Sequence, residues 1–203
     1  MDEVIIAEDG LCRCAWSQTA PDYPRYHDEE WGFPVGDDIR LFEKVCLEGF
    51  QAGLSWRTIL EKRDAFRDAF AGFDFHRLAA FDDSQVNTLM DNAAIVRNRR
   101  KIQSVINNAR RAQEMVAEEG SLAAFFWSYE PDPASLPPPQ SVTASAESVA
   151  LSIALKQRGW SFVGPTTCYA FMQAMGLIND HQHQCVIREK VELARSHFMR
   201  PPR

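Results

Sequence analysis

The feature that most constrains the fold is a stretch in which apolar residues recur every three or four positions before Gly120. This spacing places the apolar side chains on one face of an α-helix, and glycine is common just after a helix ends. The apolar positions are Ile102, Val105, Ile106, Ala109, Ala112 and Val116. The stretch therefore predicts an amphipathic helix that packs one face into a core.

Similar patterns and helix-start signals predict further helices, whereas no stretch shows the regular alternation of a half-buried strand. The predicted ranges are 38–51, 56–70, 84–91 after a Ser84 cap, 121–129, 145–157, 165–175 with Pro165 in the first turn, and 180–196. The proline-rich segment PDPASLPPP at 131–139 is typical of a connector. We therefore predict an all-α fold built from many short helices.

Length and composition exclude several classes of protein. The chain has 203 residues, of which 45% are hydrophobic, and this suits a globular protein with one core or two small lobes. No run of about 18 apolar residues is available to span a bilayer, and the N-terminus lacks the basic start and apolar segment of a signal peptide. We expect a cytoplasmic protein with no membrane partner.

The cysteines and histidines suggest a metal site. Five cysteines are an odd number for a disulfide framework, so some thiols are free to bind metal. Three residues separate His181 from Cys185, which puts both on one face of a predicted helix, and twelve separate Cys14 from His27. Two nitrogens and two thiolates would complete a tetrahedral, structural zinc site. The alternative is that the four are unrelated core or surface residues.

His183 lies between His181 and Cys185 in the string HQHQC. On a helix it would project about 200° away from His181. We therefore expect His183 to be exposed.

A second candidate site combines one carboxylate with many aromatic residues. Glu48 follows Leu41 by seven positions and Val45 by three, so it shares their apolar helix face, while Glu43 and Lys44 are expected to point elsewhere. A carboxylate on such a face must be paired, hydrogen-bonded or functional. The aromatic residues nearby in sequence are Trp16, Tyr23, Tyr26, Trp31 and Trp56.

Aromatic walls around one buried acceptor would suit a flat, hydrogen-bonding or cationic guest such as a nucleobase. The alternative reading is that the aromatic residues are ordinary core. In that case Glu48 caps a neighbouring helix or pairs with an arginine.

A third candidate site is the segment DNAAIVRNRRKI at 91–102, between two predicted helices. The net charge of −6 argues against indiscriminate binding of polyanions, but the charge of this segment is locally positive. Arg99, Arg100 and Lys101 fall at the start of a helix, where the helix dipole disfavours cations. An anionic partner such as a DNA phosphate would explain the placement, and Arg97 would contribute to the same surface.

Five blocks of the sequence resemble the 3-methyladenine DNA glycosylase I family, which are bacterial base-excision enzymes of the helix-hairpin-helix superfamily. The blocks are RCAW (13–16), YHDEEWG (26–32), LFEKVCLEGFQAGLSW (41–56), RGWSFVGPTTCYAFMQAMGLINDH (158–181) and Cys185. They occur in the family's order and spacing. The resemblance covers the chain from about residue 12 to Cys185.

The resemblance implies a two-lobed all-α fold with a structural zinc ion that joins the N- and C-terminal segments. One glycosylase unit would span 12–190, with a helix-hairpin-helix lobe at about 38–160 and a zinc lobe formed by 12–37 and 161–190. Residues 1–11 would be an N-terminal extension, and 191–203 a tail. The implied zinc ligands are Cys14, His27, His181 and Cys185.

The resemblance also assigns the other sites. The base pocket would contain Glu48 as the catalytic carboxylate, with Tyr23, Tyr26, Trp31 and Trp56 as walls and Trp16 in the matching N-terminal segment. Gly53 and Leu54 would form the loop that wedges into DNA, and the basic hairpin with Arg97, Arg99 and Lys101 would grip the backbone. Ala94 and Arg100 replace glycines that the family hairpin usually carries, and Phe50 replaces a common polar residue.

The implied activity is hydrolytic excision of 3-methyladenine from double-stranded alkylated DNA by a monomeric, monofunctional enzyme that flips the base out. Such an enzyme would act in the bacterial cytoplasm, associated with the nucleoid through its substrate. Two other functions are considered. The chain could be a non-catalytic DNA-binding or damage-sensing module on the same scaffold, or a hydrolytic zinc enzyme, which would need an open position on the metal.

Overall fold

The computed structural model describes residues 3–202 and is mostly α-helical. The helices are α1 (Tyr23–Glu29), α2 (Asp38–Gln51), α3 (Trp56–Glu61), α4 (Arg63–Ala69), α5 (Phe75–Leu78), α6 (Asp83–Asp91), α7 (Arg99–Glu119), α8 (Leu122–Trp127), α9 (Ala146–Gln157), α10 (Pro165–Ala174) and α11 (Val186–His197). Short 3-10 turns lie at Ala15–Gln18, Ala71–Phe73 and Pro133–Ser135. Within residues 3–202, no helix has the length and apolar character needed to cross a bilayer.

Helix α7 confirms the prediction made from the apolar periodicity. The Asn98 side chain accepts a hydrogen bond from the backbone N–H of Lys101 and caps the start of the helix. At the other end Gly120 adopts a φ of 86°, a conformation that glycine reaches at little cost. The buried face of α7 includes Ile102 and Ala109, both fully buried.

Three predicted boundaries are wrong. The range 56–70 is two helices, α3 and α4, which meet at Lys62. Helix α6 is capped by Asp82 rather than Ser84, because the Asp82 carboxylate accepts hydrogen bonds from the backbone N–H groups of Ser84 and Gln85. Helix α11 begins at Val186 rather than near 180. His181 therefore lies in a loop, so it is not one helical turn from Cys185.

The N-terminal segment forms a strand pair that the sequence did not predict. Strand β1 (Val4–Ile6) pairs with β2 (Cys12–Cys14) in antiparallel register, with Val4 opposite Cys14. Each strand has three residues, which is too short for alternation to be recognised. The pair positions Cys14 at the end of β2, where the chain turns toward α1.

Helix α2 lies at the centre of the core and packs against α7, α8 and α10. Its buried residues include Leu41, Phe42, Leu47 and Phe50, each at most 1% exposed. Phe50 packs on Phe66, with ring centroids 4.6 Å apart. Because α2 is surrounded by other helices, polar side chains that it directs inward must find partners there.

The segment after α1 and the end of α10 are joined through the backbone. Gly32 N–H donates to the carbonyl of Ala174, and Val35 N–H donates to that of Met175. Gly176 has a φ of 80°, and a Cβ there would lie 2.6 Å from the backbone of Pro34. Only glycine fits this approach, which brings the N- and C-terminal parts of the chain together.

Candidate functional site

Three of the predicted metal ligands form a buried cluster. Cys14, His27 and Cys185 each offer one donor atom, and these atoms all lie within 4.8 Å of one another. Within the cluster, the Nε2 of His27 lies 3.5 Å from the Cys185 Sγ. The cluster brings together β2, α1 and the residue that precedes α11.

His181 stands beside this cluster with one ring nitrogen unused. Its ring centroid is 4.8 Å from that of His27, and its buried Nε2 has no hydrogen-bond partner within residues 3–202. Its Nδ1 lies 3.0 Å from the Asn179 Oδ1. Likewise, the Nδ1 of His27 lies 2.6 Å from the Asp28 Oδ1. In both histidines a side-chain oxygen therefore holds Nδ1 in place and leaves Nε2 for another partner. This is the usual arrangement around a metal ion.

The electrostatics of the cluster favour one thiolate, at Cys185, and one neutral imidazole, at His181. The hydrogen bond with Cys14 lowers the pKa of Cys185 to about 3, and it raises the pKa of Cys14. Burial, followed by the nearby His27, lowers the pKa of His181 to about 4, so its imidazole is neutral at pH 7. A thiolate and a neutral imidazole are the forms that bind zinc. Two sulfurs and two nitrogens fit a closed tetrahedral zinc site.

Two polar contacts to Cys14 were not anticipated. The backbone N–H of Gln182 lies 3.4 Å from the Cys14 Sγ, and the Gln140 Nε2 lies 3.3 Å from it. Gln140 follows the proline-rich connector and is also tied to Asp180 through its backbone N–H. No spacing rule links position 140 to position 14, so sequence reasoning had no signal for this contact. His183 is exposed, as predicted.

The five predicted pocket aromatics form one continuous cluster. Trp16 lies at its centre, with ring centroids 5.6 Å from Tyr23, 6.4 Å from Tyr26 and 5.1 Å from Trp31. Tyr26 extends the cluster to Trp56 at 5.4 Å. Trp16 also contacts His27, with centroids 5.3 Å apart. The aromatic cluster and the predicted metal ligands are therefore in direct contact.

Glu48 is buried beside these aromatics, and its ion-pair partner is Lys44. The Lys44 Nζ lies 2.8 Å from the Glu48 Oε1, and both side chains are nearly inaccessible. The expectation that Lys44 points elsewhere is wrong. Lys44 is only 5% exposed, and its side chain turns into the protein. The i, i+4 spacing of Lys44 and Glu48 was the available signal, since such residues lie one turn apart on a helix.

Lys44 also contacts the aromatic walls. Its ammonium donates a hydrogen bond to the Tyr26 hydroxyl at 2.8 Å and lies 3.5 Å from the centroid of a Trp56 ring. Burial lowers the pKa of Lys44, and the neighbouring Glu48 opposes that shift. Burial also raises the pKa of Tyr26. The arrangement is a buried cation that contacts the Glu48 carboxylate, the Tyr26 hydroxyl and the Trp56 ring.

A small cavity of about 30 Å³ adjoins this group. Tyr26, Lys44 and Trp56 line one part of it. The carboxylates of Glu30 and Glu43 line another part, where they pair with Arg63 and Arg67.

The predicted wedge is an exposed turn between α2 and α3. Gly53 has a φ of 79°, and Leu54 next to it is 41% exposed. Lys101 holds the start of this turn, because its ammonium donates to the carbonyls of Phe50 at 2.7 Å and Ala52 at 2.6 Å. The turn therefore presents an apolar side chain on a backbone that is fixed at one end.

The predicted DNA-binding residues lie where α6 turns into α7. Arg97 and Arg99 are exposed, and the Arg99 guanidinium donates to the Asn87 side chain at 2.8 Å. Lys101 is different, because it is 8% exposed and its ammonium contacts the turn after α2. Neither Ala94 nor Arg100 is among the described residues with a positive φ. The hairpin therefore forms without glycine at these two positions.

The comparisons with known proteins agree over most of the chain. A profile of the methyladenine glycosylase family matches residues 16–189. A DNA-3-methyladenine glycosylase of Haemophilus influenzae is 44% identical over 177 residues, which cover 85% of this chain and 96% of that protein. A DNA-3-methyladenine glycosylase 1 of Escherichia coli strain K12 is 45% identical over 177 residues, which cover 85% of this chain and 95% of that protein.

Solved structures of similar proteins also match this chain over most of its length. A crystal structure of a 3-methyladenine DNA glycosylase I has a TM-score of 0.79 at 45% identity, covering 86% of this chain and 98% of that one. A single-residue variant of a 3-methyladenine DNA glycosylase I in complex with 3-methyladenine has a TM-score of 0.80 at 33% identity, covering 87% and 97%. The similarity therefore extends over nearly the full length of these proteins.

Proposed function

The chain belongs to the methyladenine glycosylase family, and from this membership we propose that it is a monofunctional enzyme that flips 3-methyladenine out of double-stranded DNA and excises it by hydrolysis. The named relatives support excision of 3-methyladenine in DNA repair, a reaction that acts on an N-glycosyl bond. The observation in this chain that carries the proposal is the buried Glu48 carboxylate, whose partner Lys44 contacts Tyr26 and Trp56 of the continuous aromatic cluster.

The chemistry of the lesion explains why this pocket needs little acid or base catalysis. Methylation at N3 gives the adenine ring a positive charge while it is attached to the sugar. The glycosidic bond is weakened because the base leaves as a neutral purine. The protein's main contribution is then to recognise the cationic base, and water serves as the nucleophile.

Glu48 and the aromatic walls are suited to that recognition. The Glu48 carboxylate would accept hydrogen bonds from the edge of the base and would favour a cationic guest. Each aromatic face would add cation–π attraction of about 0.5–2 kcal/mol. Because the site is buried, these interactions compete little with water.

The turn with Leu54 and the hairpin between α6 and α7 would contact the DNA. A base inside a duplex is reached only after it is flipped out, and an apolar side chain can fill the gap that it leaves. Leu54 is exposed at a fixed turn, which suits this wedge role. The exposed Arg97 and Arg99, with the N–H groups at the start of α7, would contact phosphates.

Zinc is proposed as a structural ion held by Cys14, His27, His181 and Cys185. The support is the three-donor cluster and the unpartnered Nε2 of His181 beside it. When bound, zinc would supply a cross-link between the N- and C-terminal segments of the chain. In this view the zinc lobe comprises 12–37 and 161–190, and the helix-hairpin-helix lobe spans about 38–160. A monomeric state and a cytoplasmic location remain predictions from the sequence.

Base release tests the proposed function directly. The protein is incubated with methylated duplex DNA, and the released bases are separated by chromatography. We expect free 3-methyladenine and intact abasic strands, with no covalent adduct when borohydride is added to the protein with abasic DNA. Binding without any released base would instead indicate a non-catalytic DNA-binding module.

A further inference from the structure

Lys44 is a buried cation at the centre of the pocket that the proposed function assigns to the base. Buried lysines are rare because desolvation of an ammonium is costly unless it is well paired. Here the ammonium has three partners: the Glu48 carboxylate and the Tyr26 hydroxyl, both at 2.8 Å, and a Trp56 ring whose centroid is 3.5 Å away.

These partners are the groups that a methylated base would use. A cationic purine in this pocket needs the Glu48 carboxylate at its edge and an aromatic face against its ring. The Lys44 ammonium occupies both interactions at once. Two cations held this close in a buried site would repel each other strongly, so they cannot share Glu48.

The space available beside Lys44 leads to the same conclusion. The cavity beside Lys44 has a volume of about 30 Å³. A cavity of that size holds about two water molecules and is too small for a purine ring. The cavity therefore admits no purine against the Trp56 ring while the Lys44 side chain keeps its present position.

We propose that Lys44 is a specificity-determining residue whose ammonium occupies the place of the cationic base in the base-free protein and leaves when the base enters. The proposal rests on the proposed function. A neutral adenine brings no charge to replace the ammonium at Glu48, whereas a 3-methylated adenine in DNA does.

The first test uses calorimetry to measure binding of the 3,9-dimethyladeninium cation, in which a methyl group at N9 replaces the sugar and keeps the ring charged, to the Lys44→Met protein. Methionine keeps a similar length without the charge, so the base no longer has to displace a cation. We expect binding about tenfold tighter than in the wild type. The control is Lys190→Met at an exposed position on α11, with wild-type affinity expected. Equal or weaker binding by a folded Lys44→Met protein would overturn the proposal.

The second test uses the unmodified protein, because Lys44→Met leaves Glu48 buried without its partner and could fail to fold. The ammonium groups are followed by ¹⁵N NMR, and the Lys44 signal is assigned by its absence from Lys44→Arg protein. We expect saturation with the 3,9-dimethyladeninium cation to shift or broaden this signal, because this base carries the charge that replaces the ammonium. The buried ammonium of Lys101 serves as an internal reference. An unchanged Lys44 signal in the base-bound protein would overturn the proposal.

The two proposals fail in different ways. If the wild type releases no 3-methyladenine from methylated DNA, the proposed function is wrong. If it releases the base while the Lys44 signal stays unchanged on base binding, only the role of Lys44 is wrong.

Discussion

The rings of Trp31 and His181 are in edge-to-face contact, with centroids 4.6 Å apart. The contact joins the aromatic cluster to the proposed metal site. Gly32, next to Trp31, permits the approach, because a Cβ there would lie 2.9 Å from the His181 Cε1. Displacement of His181 would therefore disturb a wall of the aromatic cluster, even though the proposed zinc ion has only a structural role in the proposal.

Loss of a zinc ligand should reduce both metal content and stability. We expect Cys185→Ala protein to lose its zinc and to melt at a much lower temperature, because a structural zinc ion can contribute on the order of 10 kcal/mol. Metal analysis and thermal unfolding measure the two effects. Cys46→Ala is the matched control, since Cys46 is buried in the core outside the cluster. A Cys185→Ala protein that binds one zinc and melts normally would contradict the assignment.

Lys101 should act as a structural support for the wedge turn more than as a DNA ligand. Lys101→Met removes the donor that serves the carbonyls of Phe50 and Ala52. We expect the free energy of unfolding to fall by about 1.5–3 kcal/mol, the usual effect of losing hydrogen bonds from a charged group. Urea denaturation measures the change, with exposed Lys190→Met as the control. Wild-type stability combined with weaker DNA binding would restore the original DNA-binding role.

The Glu30–Arg63 pair should make stability depend on pH. Arg63 donates to both Glu30 oxygens, at 2.6 and 2.8 Å. Burial raises the pKa of Glu30, but Arg63 outweighs it, so the net shift is below the ordinary 4.5. A lowered carboxyl pKa contributes stability that is present above the unfolded value and is lost as the pH falls through the folded value.

We therefore expect Glu30→Gln to be less stable than the wild type at neutral pH by roughly 1 kcal/mol. The difference should shrink as the pH falls from about 6 to about 3. Urea denaturation across that range gives the comparison, and Glu189→Gln at an exposed site on α11 is the control. A difference that stays constant with pH would show that the pair does not contribute in this way.

The sequence predicted what depends on local patterns. Helix α7 could be recognised because its apolar spacing and its glycine end are both local signals. The start of α11 could not, because the loop that holds His181 depends on contacts with Asn179 and Gly32, which are set by the tertiary fold. The structure brings Cys14, His27 and Cys185 together with His181 beside them, but the helical argument for the His181–Cys185 pair was wrong, and the zinc ion stays a prediction.

The interior of the pocket was harder to predict. Burial of Glu48 followed from its place on an apolar helix face. The inward turn of Lys44 did not, because lysine is normally exposed and its burial here depends on Tyr26 and Trp56 from other segments as well as on Glu48. Sequence patterns describe which face a residue lies on, whereas partners from distant segments decide whether a charge there can be buried.

The measurement that tests the central claim most directly is chromatography of the bases that Glu48→Gln protein releases from methylated duplex DNA. Glutamine keeps the shape of the side chain but removes the charge that favours a cationic base. We expect release of 3-methyladenine to be at least about tenfold slower than with the wild type, a loss of about 1.4 kcal/mol or more. Glu189→Gln protein, with the same change at an exposed site, should release the base at the wild-type rate. If folded Glu48→Gln protein released 3-methyladenine as fast as the wild type, the assignment of Glu48 to base recognition would be contradicted.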